Sequence, residues 1–78
     1  MTIELSVLRT GSSGATVKTL QRLLKSYGYK GKDGKDLCID GSFGSNTYYA
    51  LKNYQKKNGL EADGVCGKKS WNKLMIGK

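Results

Sequence analysis

Asp40-Gly41-Ser42-Phe43-Gly44-Ser45-Asn46-Thr47-Tyr48 is matched 23 positions later by Asp63-Gly64-Val65-Cys66-Gly67-Lys68-Lys69-Ser70-Trp71. The shared pattern is Asp-Gly, two variable residues, Gly, two variable residues, then a hydroxyl and an aromatic. A shorter relative, Gly11-Ser12-Ser13-Gly14, precedes them, so three copies of Gly-x-x-Gly each stand before an expected helix. Asp-Gly favours a tight turn, because glycine accepts positive φ and aspartate bonds amides just downstream of itself. The second glycine stands where a helix N-cap belongs, a position that tolerates glycine. The repeat therefore reads as turn, helix start and inward-facing aromatic, and it predicts two similar turn–helix units packed together.

The flanking periodicities supply the helices. Val17, Leu20, Leu24 and Tyr27 fall at i, i+3, i+7 and i+10, with Leu23 widening the face and Lys18, Arg22 and Lys25 opposite. This predicts a helix over about 15–27, stopped by Gly28. Thr47, Ala50, Leu51 and Tyr54 predict a second over about 45–58, stopped by Gly59, with Leu60 folding back. Trp71, Leu74 and Met75 give a short third helix over about 68–75. The expected fold is all-α, a small three-helix bundle occupying 1–78 as one domain. Ile3, Leu5, Val7 and Leu8 suggest an N-terminal arm over 1–8 covering the bundle. Extended pieces at 37–39 and around Ala62 are candidates for minor pairing, and the 30–36 segment reads as a polar loop.

Composition narrows the chemistry. Fourteen Lys/Arg against six Asp/Glu give a net charge of +8, which favours anionic partners such as nucleic acid, an acidic surface or a wall polymer. Histidine is absent, removing the usual general base and the commonest zinc ligand. Two cysteines cannot make a four-ligand site alone, so neither metal nor cofactor is expected. No stretch is long enough to span a membrane, and the opening residues lack the basic and apolar regions of a signal peptide, so neither membrane insertion nor a cleaved signal is expected in this chain.

The ordered series carries more than its parts. It runs Gly11-x-x-Gly14-x-x-Val17-x-x-Leu20-Gln21-x-x-Leu24, Gly28-Tyr29, Asp40-Gly41-x-Phe43-Gly44-x-x-Thr47-x-x-Ala50-Leu51-x-x-Tyr54-Gln55, Gly59-Leu60 and Asp63-Gly64-Val65-x-Gly67-x-x-Ser70-Trp71-x-x-Leu74. This resembles the peptidoglycan-binding-like domain found beside bacterial and phage cell-wall hydrolases, from about Leu8 to Leu74. The resemblance implies a non-catalytic module that binds peptidoglycan, glycan strand or stem peptide, and targets a fused or associated hydrolase. It implies a wall-associated or extracellular place, and a monomer. Ser45 and Lys68 stand where the family often has Pro, Tyr54 where it often has Phe, and Cys66 where it usually has a small or apolar residue.

Among candidate residues, Gln21 and Gln55 follow core positions, where a buried amide bonds a neighbouring turn or meets a ligand; internal satisfaction is the commoner outcome. Asp40 and Asp63 could be read as a glycosidase pair, but such a pair needs a cleft and a raised pKa, whereas both sit in turns. We assign Gly14, Gln21, Asp40, Gly41, Thr47, Gln55, Asp63, Gly64, Gly67 and Trp71 to the structural motif. Tyr48 and Tyr49 cannot both face inward, since adjacent helical residues point about 100° apart. The expected ligand surface is therefore Ser42, Phe43, Gly44, Asn46, Tyr48, Tyr49 and Asn53. Cys38 and Cys66 either form a disulfide, stabilising by about 3–4 kcal/mol in the chain-entropy model, or are two small half-buried residues. Val65-Cys66-Gly67 lacks the flanking Pro-Arg and Pro-Asp of a metalloprotease cysteine switch. The basic pairs Lys18/Arg22, Lys52/Lys56 and Lys69/Lys73 are spread over three helices. That dispersal counts against the alternative, a basic three-helix nucleic-acid-binding domain.

Overall fold

The computed structural model describes residues 7–76. Helices α1 (Ala15–Ser26), α2 (Ser45–Lys57) and α3 (Lys68–Ile76) follow one another, and the described residues contain no strand, only three isolated bridges. Gly14 and Gly44 cap α1 and α2 without a side-chain bond. Gly28 and Gly59 follow α1 and α2 with positive φ, and the Leu60 amide donates back to the Gln55 carbonyl at 2.8 Å. The three helices end within a residue of their periodic faces.

The core is built from one stripe of each helix. Val17, Leu20 and Leu24 of α1, Ala50, Leu51 and Tyr54 of α2, and Trp71 and Leu74 of α3 are buried. Burying each leucine contributes about 2 kcal/mol. Met75, expected in this stripe, is 52% exposed. It follows Leu74 directly, and the roughly 100° step carries it off the buried face. Leu23, Tyr27, Tyr29, Tyr48 and Leu60 pack around the core's edge.

The Gly-x-x-Gly loops also hydrogen-bond to one another. The Gly11 amide donates to the Phe43 carbonyl at 3.0 Å, the Phe43 amide to the Ser12 carbonyl at 2.9 Å, and the Gly14 amide to the Gly41 carbonyl at 2.9 Å. Leu8 and Cys66 exchange amide–carbonyl bonds at 3.1 and 2.8 Å. Among the described residues, extended pairing joins 8–13 to the two later repeats and Lys30 to Asp36, and none joins 37–39 to Ala62. Of the proposed arm, Leu8 is buried and Val7 is exposed; Ile3 and Leu5 lie outside the described residues.

Phe43 and Cys66 occupy the same place in the repeat, 23 positions apart, and both are buried with their backbones paired to the N-terminal segment. The third residue after Asp therefore faces the core in both copies. This corrects the assignment of Phe43 to the ligand surface. It also removes the disulfide: Cys66 is inside, Cys38 is exposed, and both are free thiols. Burial pushes the Cys66 thiol up to about 12, the expected direction for a desolvated thiol.

Tyr54 lies between two other tyrosines, offset-stacked on Tyr27 at 6.1 Å and edge-on to Tyr29 at 5.3 Å. Its hydroxyl is buried without a hydrogen-bond partner. Burial first, then the neighbouring tyrosines and Cys66, push its pKa up to about 12. The Tyr27 hydroxyl, by contrast, donates to the Leu74 carbonyl at 2.7 Å and ties the end of α1 to α3. Removing an unsatisfied buried hydroxyl relieves its desolvation cost, whereas removing a bonded one loses the bond. Tyr54→Phe should therefore raise stability by about 1 kcal/mol and Tyr27→Phe lower it by about as much. Urea melts followed by Trp71 fluorescence check this; a Tyr54→Phe protein weaker than wild type would mean that the hydroxyl is bonded.

Candidate functional site

Two glutamines organise both repeats. Gln21 projects from α1 into the loop before α2. Its Nε2 donates to Asp40 Oδ1 at 3.0 Å, the Ser42 carbonyl at 3.0 Å and Thr47 Oγ1 at 3.1 Å, and its Oε1 accepts the Gly41 amide at 3.0 Å. Gln55 of α2 repeats this toward α3. Its Nε2 donates to Asp63 Oδ1 at 3.2 Å, the Val65 carbonyl at 2.8 Å and Ser70 Oγ at 3.0 Å, and its Oε1 accepts the Gly64 amide at 3.0 Å. A carboxylate and a carbonyl at one end of each amide and a backbone N–H at the other leave one possible orientation. Both glutamines are 1% exposed, so neither side chain is presented to a ligand.

The turns they grip require glycine. Gly41 and Gly64 have φ of 77° and 71°. At Gly64 a Cβ would overlap the ring of Tyr48, which slides beneath this turn with Lys52 Nζ 5.8 Å from its centroid. Asp40 Oδ1 also accepts the Ser42 amide at 2.9 Å, as Asp63 Oδ1 accepts the Val65 amide. The Ser42 bond, then the Gln21 bond, hold the Asp40 carboxyl below its ordinary value. A glycosidase acid needs the opposite shift.

Two shallow grooves open outside these knots. One, of about 220 Å³, lies at the start of α2 among Asp40, Ser42, Gly44, Ser45 and Asn46, with Cys38 also lining it. The other, of about 370 Å³, lies at the start of α3 among Leu60, Glu61, Asp63, Val65, Lys68 and Lys69. Of the expected ligand residues, Ser42, Gly44 and Asn46 share the first groove. Tyr49 is 43% exposed and Asn53 half-buried, and with Asn46 they form one ridge of α2 at i, i+3 and i+7. Tyr48 turns to the other side, toward Gly64.

Asn46 has a further role that its sequence position did not signal. Its Oδ1 accepts the Lys32 amide at 3.1 Å, and its side chain packs over Gly31, where a Cβ would crowd it. The 30–36 segment is closed by bonds from the Gly31 amide to the Lys35 carbonyl and the Lys35 amide to Asp33 Oδ1, both 3.0 Å, so it is an ordered turn pinned to α2. Among the described residues, no group of three or more His, Cys, Asp or Glu stands close enough to hold a metal, and no helix is long and apolar enough to cross a membrane.

The family model described as "Putative peptidoglycan binding domain" matches residues 13–74. The chain belongs to that family. The chain is 44% identical over 70 residues to a spore cortex-lytic enzyme of Bacillus cereus, covering 88% of this chain and 25% of that protein. It is 43% identical over 67 residues to a zinc D-Ala-D-Ala carboxypeptidase of Streptomyces albus G, covering 86% of this chain and 25% of that protein. The chain thus spans about a quarter of the length of these relatives. Its fold is similar to the crystal structure of the SleB N-terminal domain, with a TM-score of 0.84, 37% identity, and coverage of 99% of this chain and 100% of that one.

Two predictions follow the geometry of the peptidoglycan-binding domain. Gln55→Ala strands the Gly64 amide and the Ser70 hydroxyl, so it should cost about 2–4 kcal/mol in a urea melt; an unchanged midpoint would move Gln55 from scaffold to ligand contact. The Asp40 carboxyl titrates below its ordinary value of 3.8 in the folded chain, so the stability it contributes is complete above that value and is lost as pH falls through the lower, folded one. Acid titration of stability should show this loss in wild type and its absence in Asp40→Asn.

Proposed function

We propose that this domain binds bacterial peptidoglycan, performs no catalysis itself, and holds an attached or partner wall hydrolase on its polymer outside the cell membrane. Membership of the peptidoglycan-binding family over 13–74 carries the reading. The relatives named above are wall-lytic or wall-peptide enzymes of which this chain matches a quarter. That is the proportion expected of an accessory module on a larger enzyme. The absence of histidine and the lowered Asp40 pKa support a non-catalytic role.

The glycan site we propose is the α2 groove extended along Asn46, Tyr49 and Asn53. Ser42, Ser45 and Asn46 offer hydroxyl and amide groups to sugar hydroxyls, and Tyr49 offers an exposed ring for a sugar face. Nothing in the fold requires glycine at Gly44: its φ of −108° is ordinary, and a Cβ there would meet no atom within 4 Å. Glycine at this position keeps the groove floor open. The basic residues lie on all three helices, which suits diffuse attraction to an anionic wall better than one nucleic-acid recognition face.

Co-sedimentation with purified insoluble peptidoglycan, beside a duplex DNA control, should retain the protein on the wall material. Tyr49→Ala should weaken retention roughly tenfold, about 1.4 kcal/mol, with an unchanged melt. Phe43→Ala should instead cost about 3–5 kcal/mol of stability. Retention on DNA alone would overturn the wall reading, and falling turbidity of a wall suspension would overturn the non-catalytic one.

A further inference from the structure

We infer that the groove at the start of α3 is a second binding site, built by the same repeat, whose ligand is a short peptide bearing a free carboxylate and a side-chain amine beside small aliphatic residues. The two grooves are lined by equivalent positions. Leu37, Cys38, Asp40, Ser42, Gly44, Ser45, Asn46 and Thr47 line the first, and the residues 23 positions later line the second, each backed by its own glutamine. The copy has kept its shape and changed its chemistry. Cys38 is replaced by Glu61, Ser42 by Val65, Ser45 by Lys68 and Asn46 by Lys69.

Those four changes define the occupant. Leu37 is sealed in the core, whereas Leu60 is only half-buried and, with half-buried Val65, presents apolar surface to the α3 groove. Lys68 and Lys69 supply positive charge, and Glu61 and Asp63 supply negative charge. Among the described residues the one ion pair is Lys30–Asp36, so these four groups do not neutralise each other. A site with separated charges of both signs around small apolar patches suits a zwitterionic peptide, not a neutral sugar. Gly67, like Gly44, lacks a positive φ, and a Cβ there would meet nothing within 4 Å. In both copies the glycine leaves open space at the groove. The inference rests on the wall-binding reading only for the peptide's source, the peptide stems of the same polymer.

Amide chemical shifts of the ¹⁵N-labelled chain, titrated with N-acetyl-lysyl-alanyl-alanine, test it. We expect perturbation at Glu61, Val65, Lys68 and Lys69, and none at Ser42 or Asn46. Blocking the peptide's carboxylate as an amide, or its side-chain amine by acetylation, should each weaken binding about tenfold, the scale of one lost charge-assisted contact. Gly67→Ser keeps a good N-cap and should leave the melt unchanged or slightly raised while weakening peptide binding. The double variant Lys68→Ala, Lys69→Ala should do the same at native stability. Silence up to about 10 mM peptide, weaker than any useful site, equal binding of the blocked peptides, or shifts confined to the α2 groove would each overturn the inference. A parallel titration with a soluble wall oligosaccharide separates the two readings. Silence at Ser42, Asn46 and Tyr49 would sink the glycan site and leave the peptide groove standing.

Discussion

A buried carboxamide that reaches from one helix to the turn starting the next is the interaction on which this fold depends. Gln21 reaches forward from α1 to the turn that starts α2, and Gln55 reaches forward from α2 to the turn that starts α3. Each amide bonds a carboxylate, a carbonyl, a hydroxyl and a backbone amide. A buried polar group is costly unless satisfied, and this arrangement is satisfied only in one geometry. Helix order and loop conformation are therefore set together, which matters in a 78-residue chain whose core is small.

The same loops bond one another on their inner side, through Gly11, Gly14, Gly41, Phe43 and, by way of Leu8, Cys66. Their outer sides are left as grooves. Scaffold and binding surface are thus two faces of one repeated turn. The separation is sharp enough to assign residues: Phe43 and Cys66 look inward, while Ser42 and Val65, one residue earlier, line grooves. Duplicating a turn duplicates its groove, and each copy can then change its chemistry without disturbing the knot behind it.

Much of this was legible along the chain. The helices, their glycine stops and the structural glutamines follow from periodicity and from turn chemistry that acts within a few residues. Most of what escaped had long-range causes. Phe43 reads as an exposed loop aromatic until its backbone is seen paired with Ser12 and Gly11, which turns it inward; its equivalence to Cys66 was the available signal. Asn46 looks like a surface residue of a helix start until the 30–36 turn folds onto it. Met75 was placed by apolarity, although its neighbour Leu74 already held the inward position.

The sequence alone determined where the turns fall, which residues cap and stop the helices, and which stripes are apolar, because these depend on φ preferences and a 3.6-residue period. Only the tertiary structure decided that Phe43 and Cys66 turn inward, that Cys38 is exposed while Cys66 is buried, and that two grooves of different charge stand at equivalent places. Those features depend on segments far apart in the chain meeting at hydrogen-bond distance, and no local preference encodes that meeting.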